Sequence, residues 1–204
     1  MKPTPPPRPV VMRRRAQLIL IAALFLGPLA LSFWAYYGVR LRPAGHTNQG
    51  ELVTPARPLP DAILAMRTGS TTTAELLRGR WTLVYVARGD CDGDCRRALE
   101  VARSVVQALG SDAPRAHRVL LIDAPCCGAS TPERSAELGV AWLAGEEGAR
   151  LAQALRLANG ARFPPGRTYL VDPLGNLMMT YPAGTAEPPM LRDLEHLLKL
   201  SHIG

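Results

Sequence analysis

The sequence predicts an α/β domain carried behind a single apolar helix, and three observations predict it. Residues 16–39 contain no charged side chain. Residues 81–86 (Trp-Thr-Leu-Val-Tyr-Val) form an apolar, β-branched run of the kind that makes a buried strand. Immediately beyond that run, a short Gly/Asp loop delivers Cys91 and Cys95 to the start of a segment with helical periodicity.

Residues 1–15 read as a Pro/Arg-rich cytoplasmic tail, and residues 16–39 are long enough to cross a hydrocarbon core as a helix. Phe33, Trp34, Tyr36 and Tyr37 crowd the end of the span, where an aromatic belt sits at a membrane interface. Lys2, Arg8, Arg13, Arg14 and Arg15 precede it, whereas only Arg40 and Arg42 follow closely. This asymmetry predicts a cytoplasmic N-terminus and a C-terminal domain on the other side, in the periplasm if the membrane is a bacterial inner membrane. A cleaved signal peptide is the competing reading, but the apolar run is too long for an h-region. The net charge of +7 owes much to these flanking arginines. No basic stripe interleaved with aromatics follows, so no nucleic-acid partner is expected.

Residues 40–60 are rich in proline, glycine and polar side chains and read as a linker, leaving 61–204 as the folded domain. Ser70 to Thr73 followed by Ala74-Glu75-Leu76-Leu77 predicts a capped helical turn that Gly79 stops. After the strand at 81–86 and the cysteine pair, Ala98, Val101, Ala102, Val105, Val106 and Leu109 recur at helical spacing. Residues 118–123 form a second strand, parallel to the first by the right-handed crossover. Ser130-Thr131-Pro132-Glu133 signals a helix start, and a helical region interrupted near Gly145 is expected to run to Asn159-Gly160. Residues 168–171, a turn at 172–176 and residues 177–181 make a hairpin, and 190–200 close the chain as an amphipathic helix.

The order is βαβαββα, that of a thioredoxin-like fold behind one transmembrane helix. In this arrangement the loops carrying Cys91/Cys95, Cys126/Cys127 and Pro164-Pro165 should open at one edge of the sheet. Four cysteines in an exported domain imply redox work, metal work or stapling. Two thiols at i and i+4 share one face of the first helical turn, so they close a disulfide or grip a soft metal ion. The helix dipole and Arg88, Arg96 and Arg97 favour thiolates there, while Asp90, Asp92 and Asp94 oppose them or cap the helix. Adjacent Cys126 and Cys127 would form a strained ring with each other, so a bond to Cys91 or Cys95 is expected instead. Of Met178 and Met179, on opposite faces of a strand, one belongs to the core; the four histidines are read as solvated. No zinc spacing, Ser/His/Asp set or phosphate loop is present.

From about residue 52 to the C-terminus the domain resembles the SCO (SenC/PrrC) family of membrane-anchored thioredoxin-fold proteins. The resemblance rests on Gly79-Arg80-Trp81-Thr82-Leu83-Val84-Tyr85, Cys91-x-x-x-Cys95, Thr131-Pro132-Glu133 and the run from Tyr169 to Asn176. It implies a role in cytochrome c oxidase assembly through Cys91 and Cys95, by thiol–disulfide exchange, Cu(I) handling or both. The implied partners are oxidase subunits or assembly factors, a periplasmic thiol–disulfide partner, and membrane lipid around one helix. The family's third copper ligand, a histidine before the Tyr-Leu-x-Asp-Pro strand, aligns near Pro164 here, and no histidine lies between His117 and His196. A proline facing the cysteines is what thiol oxidoreductases of this fold use, so Pro164 or Pro165 takes that role. Cys126 and Cys127 then serve as a second dithiol or as substitute Cu(I) ligands. The alternative is a non-catalytic, membrane-tethered scaffold with structural disulfides.

Overall fold

The computed structural model describes residues 8–37, 48–125, 137–155 and 166–201. The chain divides into two units, Met1–His46 and Thr47–Gly204. The first contains helix α1 (Arg8–Tyr37), with Pro28 inside it, and its stretch Arg15–Trp34 is long and apolar enough to span a membrane. Leu18, Ile19, Leu24, Phe25 and Phe33 all point outward, as lipid-facing side chains would.

The second unit is built on an eight-stranded sheet. Its strands are β1 (Glu51–Pro58), β2 (Ile63–Ala65), β3 (Ser70–Thr72), β4 (Trp81–Ala87), β5 (Ala116–Ile122), β6 (Leu138–Trp142), β7 (Thr168–Val171) and β8 (Asn176–Tyr181). Across the sheet the order is β1-β8-β7-β4-β5-β6-β2-β3, with β4, β5 and β6 parallel and the other pairs antiparallel. The helices are α2 (Thr73–Leu77), α3 (Gly93–Ala108), α4 (Gly145–Leu155) and α5 (Glu187–Leu200). Alternation sorts the strand residues between two faces. Val84, Val86, Val119, Leu121, Tyr169 and Val171 pack with α2 and α4, while Leu83 and Leu170 pack with α3 and α5. A strand covered on both sides has no polar face, which is why 81–87 reads as one apolar run.

Local chemistry places the ends of these elements. Thr72 and Glu75 form the capping box that starts α2. The β7–β8 turn is tied by the Asp172 carboxylate, which accepts from the Leu174 N–H at 3.0 Å, the Asn176 N–H at 2.8 Å and the Asn176 side-chain amide at 2.8 Å. Met179 is the core methionine of its pair.

Three sequence expectations need correction. Part of the expected linker is strand: Glu51–Pro58 pairs with β8, and the register shifts between Leu52 and Arg57. Pro55 and Pro58 lack a donor, so the segment tolerates only an edge position and shows little periodicity. The expected helical region after Pro132 contains β6 before its helix; a strand of five residues is too short to carry a period that separates strand from helix. His117 is half-buried on β5 rather than solvated. Burial, followed by the nearby Arg80 and Arg118 charges, lowers its pKa to about 4.

Candidate redox site

β4 ends at Ala87, and a turn through Gly89 (φ 72°) carries the chain to Cys91. Asp92 then caps α3, its carboxylate accepting the Cys95 N–H at 2.9 Å. The helix therefore begins between the two cysteines, and their Cα atoms lie 5.2 Å apart, well within disulfide reach. Cys91 and Cys95 are bonded to each other. This is the bond the i, i+4 spacing allowed, and it leaves neither cysteine for the bond expected from Cys126 or Cys127. Cys126, Cys127, Pro164 and Pro165 lie outside the described residues, as does Thr131-Pro132-Glu133.

The disulfide sits among Tyr85, Ala87, Leu99, Leu120, Ile122 and Trp142, with Cys91 4% and Cys95 1% exposed. A groove of about 820 Å³ runs beside it. One wall is the α3 stripe of Asp94, Arg97, Ala98 and Val101, and the other is the turn from Pro182 to Ala186. Cys95 lines this groove, as do Gly166 and Thr168. Gly166 has φ 76°, and a Cβ there would come within 3.0 Å of Ala183 Cβ, so the two sides meet closely at that point.

Ala87 pairs with Ile122, and Tyr85 pairs with Thr168, so β5 ends and β7 begins at the sheet edge where β4 delivers Cys91. Charge at the site is mixed. Arg88 and Arg97 line the groove with Asp90, Asp92 and Asp94, and Arg96 donates to the Cys91 carbonyl at 3.2 Å. Burial, then the charges of Asp92 and Asp94, raises the pKa of Tyr85. Sequence reasoning did not find the far wall; its signal was the Pro182-Ala183-Gly184 turn between the last strand and the last helix.

Chemically, the arrangement offers a two-electron dithiol/disulfide couple at a helix N-terminus. Reduced, it offers two soft sulfur donors suited to Cu(I). Among the described residues no group of three or more His, Cys, Asp and Glu side chains is placed to hold a metal, and the Asp92 carboxylate is engaged by the Cys95 N–H.

No curated protein matches the chain. Among solved structures, it is similar to copper-bound ScoI of Bradyrhizobium japonicum, at 17% identity and TM-score 0.50, covering 68% of this chain and 98% of that one. It is similar to copper-bound yeast Sco1 at 14% identity and TM-score 0.54, covering 71% and 90%. Apo Sco1 of Thermus thermophilus gives 17% identity and TM-score 0.52, covering 76% and 99%. At such identities these likenesses establish a shared thioredoxin-like fold. A family model described as transmembrane-like, thioredoxin-like, C-terminal domain matches residues 81–201, more than half of the sequence, and the chain belongs to that family.

Proposed function

We propose that this protein is a membrane-anchored thiol–disulfide and Cu(I)-handling protein that serves assembly of the copper centre of cytochrome c oxidase. The observation that carries the reading is the Cys91–Cys95 disulfide, seated at the start of α3 and flanked by a groove, on the fold of copper-bound Sco proteins. Reduction would free two adjacent thiolates. Cu(I) accepts two sulfur donors in a linear arrangement, whereas Cu(II) prefers more donors including nitrogen or oxygen. With Pro164 standing where the family's histidine aligns, the reduced pair suits Cu(I) as transient cargo and leaves Cu(II) poorly served. Cys126 and Cys127 act as further ligands or as a second dithiol, and Pro164 or Pro165 faces the cysteine pair. The arginine asymmetry around α1 supports a periplasmic domain, where oxidase subunits, assembly factors and a thiol–disulfide partner would meet it.

Anaerobic Cu(I) titration of the reduced chain, with thiols counted before and after, tests the copper half. One Cu(I) should bind and protect thiols, with little Cu(II) bound. A tight Cu(II) complex with charge-transfer bands would overturn the ligand assignment. Serine at both Cys126 and Cys127 separates ligands, whose loss abolishes Cu(I) binding, from a relay, whose loss spares it. A reporter active only in the periplasm, fused after Gly204, tests the topology. The low exposure of both cysteines, 4% and 1%, favours a second reading, a tethered scaffold whose disulfide is structural.

A further inference from the structure

We infer that the groove beside α3 seats an extended segment of the partner polypeptide, and that the Tyr85 and Thr168 hydroxyls hold the C=O and N–H of one of its residues. The inference rests on the thiol–disulfide reading for the partner's being a protein, and adds what that protein presents. Tyr85 on β4 and Thr168 on β7 are direct neighbours in an antiparallel pair, so their side chains stand on one face of the sheet. Both line the groove, although Tyr85 is only 6% and Thr168 4% exposed. Neither hydroxyl has a hydrogen-bond partner among the described residues. Trp81 Nε1 and Trp142 Nε1 are polar atoms sealed inside the domain without a partner, whereas the two hydroxyl oxygens are not sealed and open on the groove.

A buried hydroxyl without a partner costs stability, and phenylalanine and valine would fill the same two places without that cost. The pair is therefore a polar mark between apolar walls, which Ala98, Val101, Pro182 and Met190 supply. Gly166 keeps the approach clear. A Cβ there would lie 3.8 Å from the Tyr85 oxygen and 3.0 Å from Ala183 Cβ, narrowing the groove over the hydroxyl.

This chemistry selects a neutral main chain. The Tyr85 phenol, protonated at neutral pH, donates to a carbonyl, and the Thr168 hydroxyl accepts from an N–H. An extended chain turns the C=O and N–H of one residue to the same side, which suits two hydroxyls on adjacent strands. A carboxylate or phosphate would be disfavoured, because Asp90, Asp92 and Asp94 outnumber Arg88 and Arg97 in the same groove. At about 820 Å³ the groove has room for several residues.

The test uses the full oxidised chain in detergent, with the capped tripeptide acetyl-Ala-Ala-Ala-amide as the probe. Magnetic resonance follows the Tyr85 ring and the Thr168 methyl during the titration. Both signals should shift and saturate together. An analogue whose central amide N–H is replaced by an ester oxygen should bind roughly three- to tenfold more weakly, the scale of one neutral hydrogen bond. Tyr85→Phe, followed at the Thr168 methyl, and Thr168→Val, followed at the Tyr85 ring, should each weaken the tripeptide by a similar factor, and Thr168→Ser should retain it. The ester comparison needs no variant, so it holds even if a substitution disturbs folding. Signals that do not move, an ester that binds as well as the amide, or acetate that shifts the same signals as strongly would each overturn the inference. Loss of tripeptide binding with a reducible disulfide would leave the exchange reading intact. Tripeptide binding at a disulfide that resists dithiothreitol would instead overturn exchange and support the peptide seat.

Discussion

Two buried fastenings hold this domain, and they differ in bond type and in reach. The Cys91–Cys95 disulfide is covalent and joins residues four apart in sequence. The Asp193 carboxylate is non-covalent and joins segments 144 residues apart. It is 3% exposed on α5 and accepts from the Gln49 N–H at 2.8 Å, the Gly50 N–H at 2.8 Å and the Tyr181 hydroxyl at 3.1 Å. Gly50 lies against the Tyr181 ring so closely that a Cβ would sit 2.7 Å from Cε1. A cross-link restrains the unfolded chain in proportion to the logarithm of the loop it closes, so the disulfide's short loop constrains little. The carboxylate instead ties the first residues of the folded unit to its last helix. The covalent bond is thus the more expendable for folding, and it is the one free to be made and broken.

The largest effect should come from breaking the long-range fastening. Asp193→Ala removes a charged acceptor from several donors, each such hydrogen bond being worth roughly 1.5–3 kcal/mol. A loss of about 3 kcal/mol or more is expected in denaturant unfolding. A loss under about 1 kcal/mol would mean water replaces the carboxylate and the comparison fails.

Replacing both Cys91 and Cys95 by serine should cost less, about 2 kcal/mol on the chain-entropy estimate for so short a loop. The far-ultraviolet spectrum should stay native, and a double variant that does not fold would make the bond a staple after all.

Asp92 shares residue type with Asp193 but works locally. Asp92→Ala should cost about 1 kcal/mol through the lost N-cap. Asp92→Asn should keep most of that stability in the same unfolding measurement, since asparagine caps equally well.

What the sequence made legible follows from what leaves a period. Trp81–Ala87, the α3 stripe and the β7–β8 hairpin have apolar runs, helical spacing and a turn motif, and all were placed correctly. β6 and β1 were missed because a strand of five residues and a proline-bearing edge strand leave none. At the site, the cysteines and the converging strand ends were readable, because loop placement follows from topology. The bonding was readable only as alternatives: the i, i+4 spacing allowed the Cys91–Cys95 bond that is present, whereas the ring-strain argument favoured a bond to Cys126 or Cys127. Asp193 did leave a signal, an acid on the buried stripe between Met190 and Leu194, but its partners lie far away in sequence.

Tyr181 adds an effect that is read on the alkaline side. Burial, then the charge of Asp193 and their hydrogen bond, raises its pKa above the ordinary 10.0. The unfolded chain gives up this proton near pH 10, whereas the folded chain retains it, so the contribution is full below that pH and is lost as pH rises above it. Tyr181→Phe should therefore flatten the alkaline limb of the stability profile. An unchanged limb would show that Tyr181 is not the group responsible.

The central claim is that the Cys91–Cys95 bond is made and broken in the folded protein. Equilibrating the full chain across graded glutathione and dithiothreitol buffers, with acid-quenched thiol counting and circular dichroism at each point, tests it most directly. The account predicts full interconversion between disulfide and dithiol with the fold intact throughout. A pair that stays oxidised under excess dithiothreitol, or that yields thiols only as the domain unfolds, would contradict it.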